Sequence, residues 1–284
     1  MVLTGPVVAA VLFGALLHAS WNALIKSGPD KSLDTALIHV LGVGLAVPAV
    51  ALLGWPAAAA WPYLLASLTI HIGYYIALAG AYRHGDLGLT YPIMRGLAPL
   101  LVALASAPLI GETLSLLAWC AVVAVSAGVF AVGVSPRRGG APAMAVRYAL
   151  ANAAIIAAYT IVDGRGVRAS GTAAAYVATL FMFDGLPYFA LVMWQRRAAQ
   201  RPTWVYMRRR WPIALPGAAA SLGSYAIALW AMTRAPVAAV AALRETSVLF
   251  AALIGCLWLR EAFGPLRAMG TLLIVGGIIA LRFS

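Results

Sequence analysis

Ten apolar runs, each about the length of one bilayer-spanning helix, occupy most of this chain: 3–25, 33–53, 61–82, 87–110, 113–134, 143–163, 171–194, 211–233, 235–259 and 263–282. A helix of about 20 apolar residues crosses the hydrocarbon core of a membrane. Of the 284 residues, 63% are hydrophobic and only 10% charged, against roughly 25% charged in a soluble domain. A water-soluble core cannot absorb so much apolar sequence, whereas lipid can. Lipid in turn demands that each span satisfy its own backbone hydrogen bonds, so the expected fold class is an all-α integral membrane protein. The opening stretch MVLTGPVVAAVLFGALLHASWNALIK has no basic head and outruns a signal-peptide core, so it reads as the first span.

The chain repeats itself. Residues 78–112 align with 228–261, placing Arg95 on Arg244 and Glu112 on Glu261, both 149 apart. Gly128 and Gly277 keep that spacing, while Gly73 with Gly223, Tyr75 with Tyr225 and Ala81 with Ala231 are 150 apart. The expected organisation is a first five-helix repeat over 1–134, a linker over 135–142 (SPRRGGAP), and a second repeat over 143–284. Five is odd, so the second half must enter from the opposite side. The result is ten transmembrane helices as two inverted five-helix repeats, an architecture of secondary transporters with a site near the bilayer midplane. Small residues Ala127 and Ala131, aligned with Gly276 and Ala280, are read as a close helix contact.

The net charge is +12, but the basic residues fall in short loops, as orientation signals do, and nucleic acid is not an expected partner. Of 20 Lys and Arg, two (Arg95 and Arg244) are intramembrane, fourteen flank the loops after odd-numbered runs, and four (Arg165, Arg168, Arg234, Arg282) lie opposite. The positive-inside rule then puts both termini outside the cytoplasm of a plasma (inner) membrane. Cys120 and Cys256 lie inside apolar runs and imply neither a disulfide nor a metal site. No metal or cofactor is expected.

The segments SWNALIK (20–26), PIMRGLAPLL (92–101) with the following Gly111–Glu112, and APVAAVAALRETSVLFAALIG with its trailing Arg260–Glu261 resemble those of the EamA-type ten-helix carriers of the drug/metabolite transporter superfamily. The resemblance runs over essentially the whole chain. It implies ten helices, export of small metabolites such as amino acids, and no enzymatic activity. Trp21 and Asn22 fall in the helix 1 motif of that family.

Intramembrane charge is costly, about 2.5–3.5 kcal/mol per residue on insertion scales. Arg95, Asp184, Arg244 and Glu245 all lie well inside runs; they must pair, face water or bind something. One reading is a network that fastens helices. The other is a substrate site, where an arginine takes a carboxylate and Glu245 or Asp184 takes an ammonium. His71, Tyr74 and Tyr75 share a face of the third run too deep for an interfacial belt, and Ser221 and Tyr225 are their counterparts in the eighth. His18, Trp21 and Asn22 share a face of the first run, with Tyr159 as a counterpart of Trp21. His39 and His84 are expected outside the cavity. Pro92 and Pro99 around Arg95, and Gly185 and Pro187 after Asp184, mark places where helices can bend beside charge. These residues form the candidate site.

The leading functional reading is a secondary transporter exporting amino acids, including aromatic or apolar ones, by alternating access. The alternatives are a carrier for anionic metabolites such as sugar phosphates, against which Glu245 argues, and a lipophilic-cation exporter, against which the two arginines argue. No nucleophile–base pair, zinc motif, phosphate loop or repeated filter ring is visible, so neither an enzyme nor a channel is expected. Oligomeric state is open, a monomer being sufficient.

Overall fold

The computed structural model describes residues 3–85, 87–133, 142–259 and 264–284, the side chains of 87–88, 199–201, 255 and 257–259 excepted. It is all-helical among these residues: α1 (Gly5–Ser27), α2 (Lys31–Leu53), α3 (Trp61–His84), α4 (Leu87–Ile110), α5 (Leu116–Gly133), α6 (Ala143–Ala169), α7 (Ala173–Gln195), α8 (Gln200–Met232), α9 (Val237–Arg244), α10 (Ser247–Leu259) and α11 (Pro265–Arg282). Helices α9 and α10 follow one another as the ninth span, giving ten spans long and apolar enough to cross a membrane. Residues 135–141 of the expected linker, and Arg260 and Glu261, lie outside the described residues.

The turns follow local chemistry. Asp30 caps α2 by accepting from the Leu33 N–H, and Thr172 caps α7 by accepting from that of Ala175. Gly54 and Gly111 end α2 and α4 at φ 77° and 76°, a left-handed conformation that costs glycine little. Large apolar side chains such as Leu52, Leu65, Ile76, Leu104 and Leu272 point outward, as a lipid-facing surface requires. Trp194 and Trp204 are exposed near helix ends, where aromatic side chains sit at the membrane interface.

The principal packing pairs each join the two halves of the chain: α1 on α8, α3 on α6, α2 on α7, and α5 on α11. Helix α6 also packs along α4, and α9 and α10 along α1. Where α5 meets α11 the register differs by one residue from expectation. Ala127 and Gly276 face outward, and Gly128, Gly270 and Gly277 sit at the contact, where an added Cβ on Gly128 would lie 2.6 Å from the Gly270 carbonyl oxygen.

Three expected boundaries move. The sixth run continues six residues past 163 to Ala169, because Arg165 reaches back over the Tyr63 ring and Arg168 pairs with Glu112, so neither cation has to end the helix. Helix α8 begins at Gln200 rather than 211, with the arginine-rich 208–210 already helical and Pro212 and Pro216 inside it. The ninth run is interrupted at Glu245 and Thr246. There the bonds from the N–H groups of 245, 246, 248 and 249 run to the third residue back, at 2.9–3.1 Å. This is a tight 3₁₀ turn within a membrane span.

Candidate functional site

The interruption decides what the neighbouring charges do. Arg244 ends α9 and Glu245 caps it, so their side chains serve different surroundings. Glu245 turns to α4: its Oε2 lies 2.9 Å from Arg95 Nε. The N–H is not aimed along that line, so neither atom gains a well-formed hydrogen bond; the contact is an ion pair. Arg95 Nη2–H also donates to Ser247 Oγ at 3.5 Å. Arg95 and Glu245 are 8% and 4% exposed, so each depends on the other for charge compensation.

Arg244 has no carboxylate within ion-pair distance among the described residues. Its guanidinium carbon stands 5.3 Å from the centroid of the Tyr225 ring, a cation–π contact. It borders two clefts. One, with His18 and Ser224 between α1 and α8, is closed to water. The other, with Arg95, Tyr159, Thr160 and Glu245, holds about 10 Å³, room for about one water molecule. These two clefts leave little open space beside the charges.

Behind Tyr225 lies a residue that the sequence reading did not single out. Asp163 on α6 is fully buried and accepts hydrogen bonds from Tyr176 Oη on α7 at 2.9 Å and Tyr225 Oη on α8 at 2.5 Å. Ser67 and His71 of α3 face it as well. The signal that would have found it is the helical step from Tyr159 to Asp163, i to i+4 on one face. His71 Nδ1 lies 2.8 Å from the Ser67 carbonyl oxygen and its ring stacks on Tyr159 at 4.5 Å. Tyr74 completes the aromatic wall, 6.1 Å from Tyr159 and 5.4 Å from Tyr75, with its carbonyl accepting from Asn152 Nδ2. Asp163, His71, Tyr159, Tyr225, Arg244, Glu245 and Arg95 thus form one connected group, in which two carboxylates balance two guanidinium groups.

Asp184 and Tyr75 form a separate cluster. Tyr75 Oη donates to Asp184 Oδ2 at 2.9 Å, and its ring meets Tyr188 at 5.1 Å and His39 at 5.8 Å. His39, expected outside the cavity, belongs to this cluster because Gly185 brings α7 against the α2 backbone at His39.

The remaining candidates take varied places. Trp21 packs edge-on to His18 at 5.2 Å, and its indole N–H is buried without an acceptor. Asn22 Nδ2 turns back to the His18 carbonyl at 2.8 Å. Ser221 is half-buried one turn before Tyr225. Pro92 and Pro99 are buried and Pro187 is exposed, all inside helices that continue through them. Pro99 leaves the Arg95 carbonyl without its helical donor.

Both ends of the bundle are fastened. At one, Arg196 Nη2 meets Asp30 Oδ2 at 2.7 Å, and Arg210 grips Asp34 through both oxygens at 3.1 and 3.2 Å. Burial works against ionisation of Asp30, but the Ser32 hydroxyl, the Leu33 N–H and Arg196 outweigh it and hold the carboxyl below its usual range. At the other end, Arg168 bonds Glu112 and the carbonyls of Met232 and Ala235, while Glu112 Oε2 accepts from the Val237 N–H at the start of α9.

Ten spans packed around a balanced group of charges describe a polytopic membrane protein. Residues 143–283 match the model of the EamA-like transporter family. The chain belongs to that family, within the drug/metabolite transporters. No curated protein is significantly similar to it in sequence. A protein of known crystal structure shares the fold at a TM-score of 0.73 and 19% identity, over 98% of this chain and 95% of its own.

Proposed function

We propose that this transporter exports amino acids, including aromatic and apolar ones, by alternating access around the Arg244 centre. One observation carries the reading. Arg244 is a half-buried guanidinium held on an aromatic face rather than by a carboxylate, so its donors remain available to a ligand's carboxylate. Arg95 engages one oxygen of Glu245, leaving the acid lone pairs for an ammonium. The group is charge-balanced, which suits a zwitterion. Tyr74, Tyr159 and Trp21 supply aromatic surface for the side chain. Because Glu245 occupies Arg95, a single arginine is open, which favours one carboxylate over a doubly charged phosphate.

The alternation would come from exchange of two inverted halves, 1–134 and 143–284. The cross-half pairing supports this: exchanging the halves turns α1 on α8 into α6 on α3, and returns α2 on α7 and α5 on α11 to themselves. With both ends fastened, the conformation is that of an occluded carrier. A monomer provides every residue of the site. The excess of Lys and Arg on one side favours a plasma (inner) membrane with both termini non-cytoplasmic.

The test is counterflow in proteoliposomes with labelled phenylalanine, threonine, a sugar phosphate and a lipophilic cation. Saturable exchange of the amino acids that is lost in Arg244→Ala supports the reading. Exchange of the phosphate or the cation alone overturns it.

A further inference from the structure

From the arrangement around Asp163 we infer that this carboxylate is a proton-binding site whose occupancy is coupled to Arg244 through Tyr225. The inference rests on the transporter reading above.

Asp163 is 0% exposed and is the sole carboxylate among the described residues that is both fully buried and without a Lys or Arg partner. A structural carboxylate at that depth is ordinarily paired with a cation. This one is served by neutral hydroxyls, from Tyr176 and Tyr225. The groups facing it are Ser67 and His71 from α3, Tyr176 from α7 and Tyr225 from α8. Along α6, one turn away, Tyr159 lies in the cleft with Arg95 of α4 and with Arg244 and Glu245 at the α9–α10 turn. Every partner of the carboxylate is thus a group that can also accept or relay a proton. His71 binds a carbonyl through Nδ1, so its Nε2 is the atom left to exchange protons.

Tyr225 is the link. Its hydroxyl binds Asp163 and its ring carries Arg244. With Asp163 ionised, both oxygens accept from tyrosines. When a proton adds to Oδ2, that oxygen becomes a donor, and the Tyr225 O–H must turn away and accept instead. The ring that holds Arg244 is then held by a different bond. The local charge changes with it: Arg95, Arg244, Glu245 and Asp163 sum to zero with Asp163 ionised and to one positive charge with it protonated. The balanced state, with Asp163 ionised, suits the zwitterion, and the added positive charge disfavours its ammonium beside Glu245. Proton and amino acid thus displace one another, as export in exchange for protons requires. Proton and substrate therefore each change the other's binding by the same factor. Asp184, by contrast, is only half-buried, with a single tyrosine donor, and is the natural control.

The proton can be read without a substrate. Infrared difference spectra of the purified protein, titrated across pH ~5–9, the range buried carboxyls reach, should show a protonated-carboxyl band. That band should be absent in Asp163→Asn, shifted in Tyr225→Phe and unchanged in Asp184→Asn. In proteoliposomes, phenylalanine uptake driven by an imposed pH gradient, divided by counterflow of the same label, should fall about tenfold or more in Asp163→Asn, the equivalent of one pK unit of lost coupling. No Asp163-dependent band, or a ratio equal to wild type, overturns the proton site. If the band titrates as expected while no amino acid exchanges in wild type, the amino-acid reading fails and the proton site stands. If Asp163→Asn does not fold, Tyr225→Phe carries the test: an unshifted band and an unchanged ratio overturn the link.

Discussion

The guanidinium of Arg95 lies 2.9 Å from the carboxylate of Glu245, one partner from each half of the chain. Both are buried, and removing one strands the other in a low-dielectric interior. Breaking such a pair costs about 3–5 kcal/mol, whereas removing both partners together costs far less. Arg95→Gln and Glu245→Gln should each lower the melting temperature in detergent, and the double variant should recover much of the loss. Additive losses would mean that the two charges do not compensate one another.

Arg244 is expected to behave differently because it has no such partner. Arg244→Gln should leave the melting temperature near wild type and raise the KM for an amino acid. A charged hydrogen bond worth about 1.5–3 kcal/mol corresponds to roughly 10- to 100-fold. Arg244→Lys should recover only part of this, since the ammonium lacks the planar fork and stacks less well on Tyr225.

Much of this was legible from the residues. Continuous apolar runs fixed the ten spans, and the cost of charge in lipid pointed to Arg95, Arg244 and Glu245. What escaped was set by tertiary partners. Asp163 sat at the end of an expected helix beside Arg165 and Arg168, and only the reach of those cations to Tyr63 and Glu112 carries the helix past it. The turn at 245–246 has neither glycine nor proline to announce it. The small-residue contact lies one residue from the expected register, because small residues stand side by side there, Ala127 with Gly128 and Gly276 with Gly277, and only packing chooses between them.

That register makes a separate prediction. Gly128→Val and Gly277→Val place side chains against the Gly270 and Ala121 carbonyls and should cost about 1–3 kcal/mol by overpacking. Gly276→Ala meets nothing within 4 Å and should be neutral to thermal unfolding. Equal effects at 276 and 277 would contradict the observed contact.

The clasp at the α9 end should be a stability element of its own. Glu112→Ala removes both the Arg168 partner and the acceptor for the Val237 N–H. A lost helix cap alone costs about 0.5–2 kcal/mol, so a clear drop in thermal midpoint is expected, with Glu112→Gln milder because it keeps an acceptor. A drop no larger in Glu112→Ala than in Glu112→Gln would show that the acceptor does not matter.

At the opposite end Asp30 gives a pH signature. Its carboxyl is held below the ordinary value of 3.8, so the folded state binds that proton less readily than the unfolded one. Its contribution is fully present above 3.8 and is lost as pH falls through and below that value. Thermal scans at falling pH should show an acid loss in wild type that is smaller in Asp30→Asn. An identical acid profile would remove Asp30 from the account.

The central claim is that Arg244 receives a substrate carboxylate, and competition tests it most directly. Counterflow of labelled phenylalanine would be measured against unlabelled phenylalanine and against phenethylamine, which has the same ring and ammonium but no carboxylate. Phenylalanine should compete and phenethylamine should not in wild type, and Arg244→Gln should erase the difference by weakening phenylalanine alone. Equal competition by the two compounds in wild type would contradict the role assigned to Arg244.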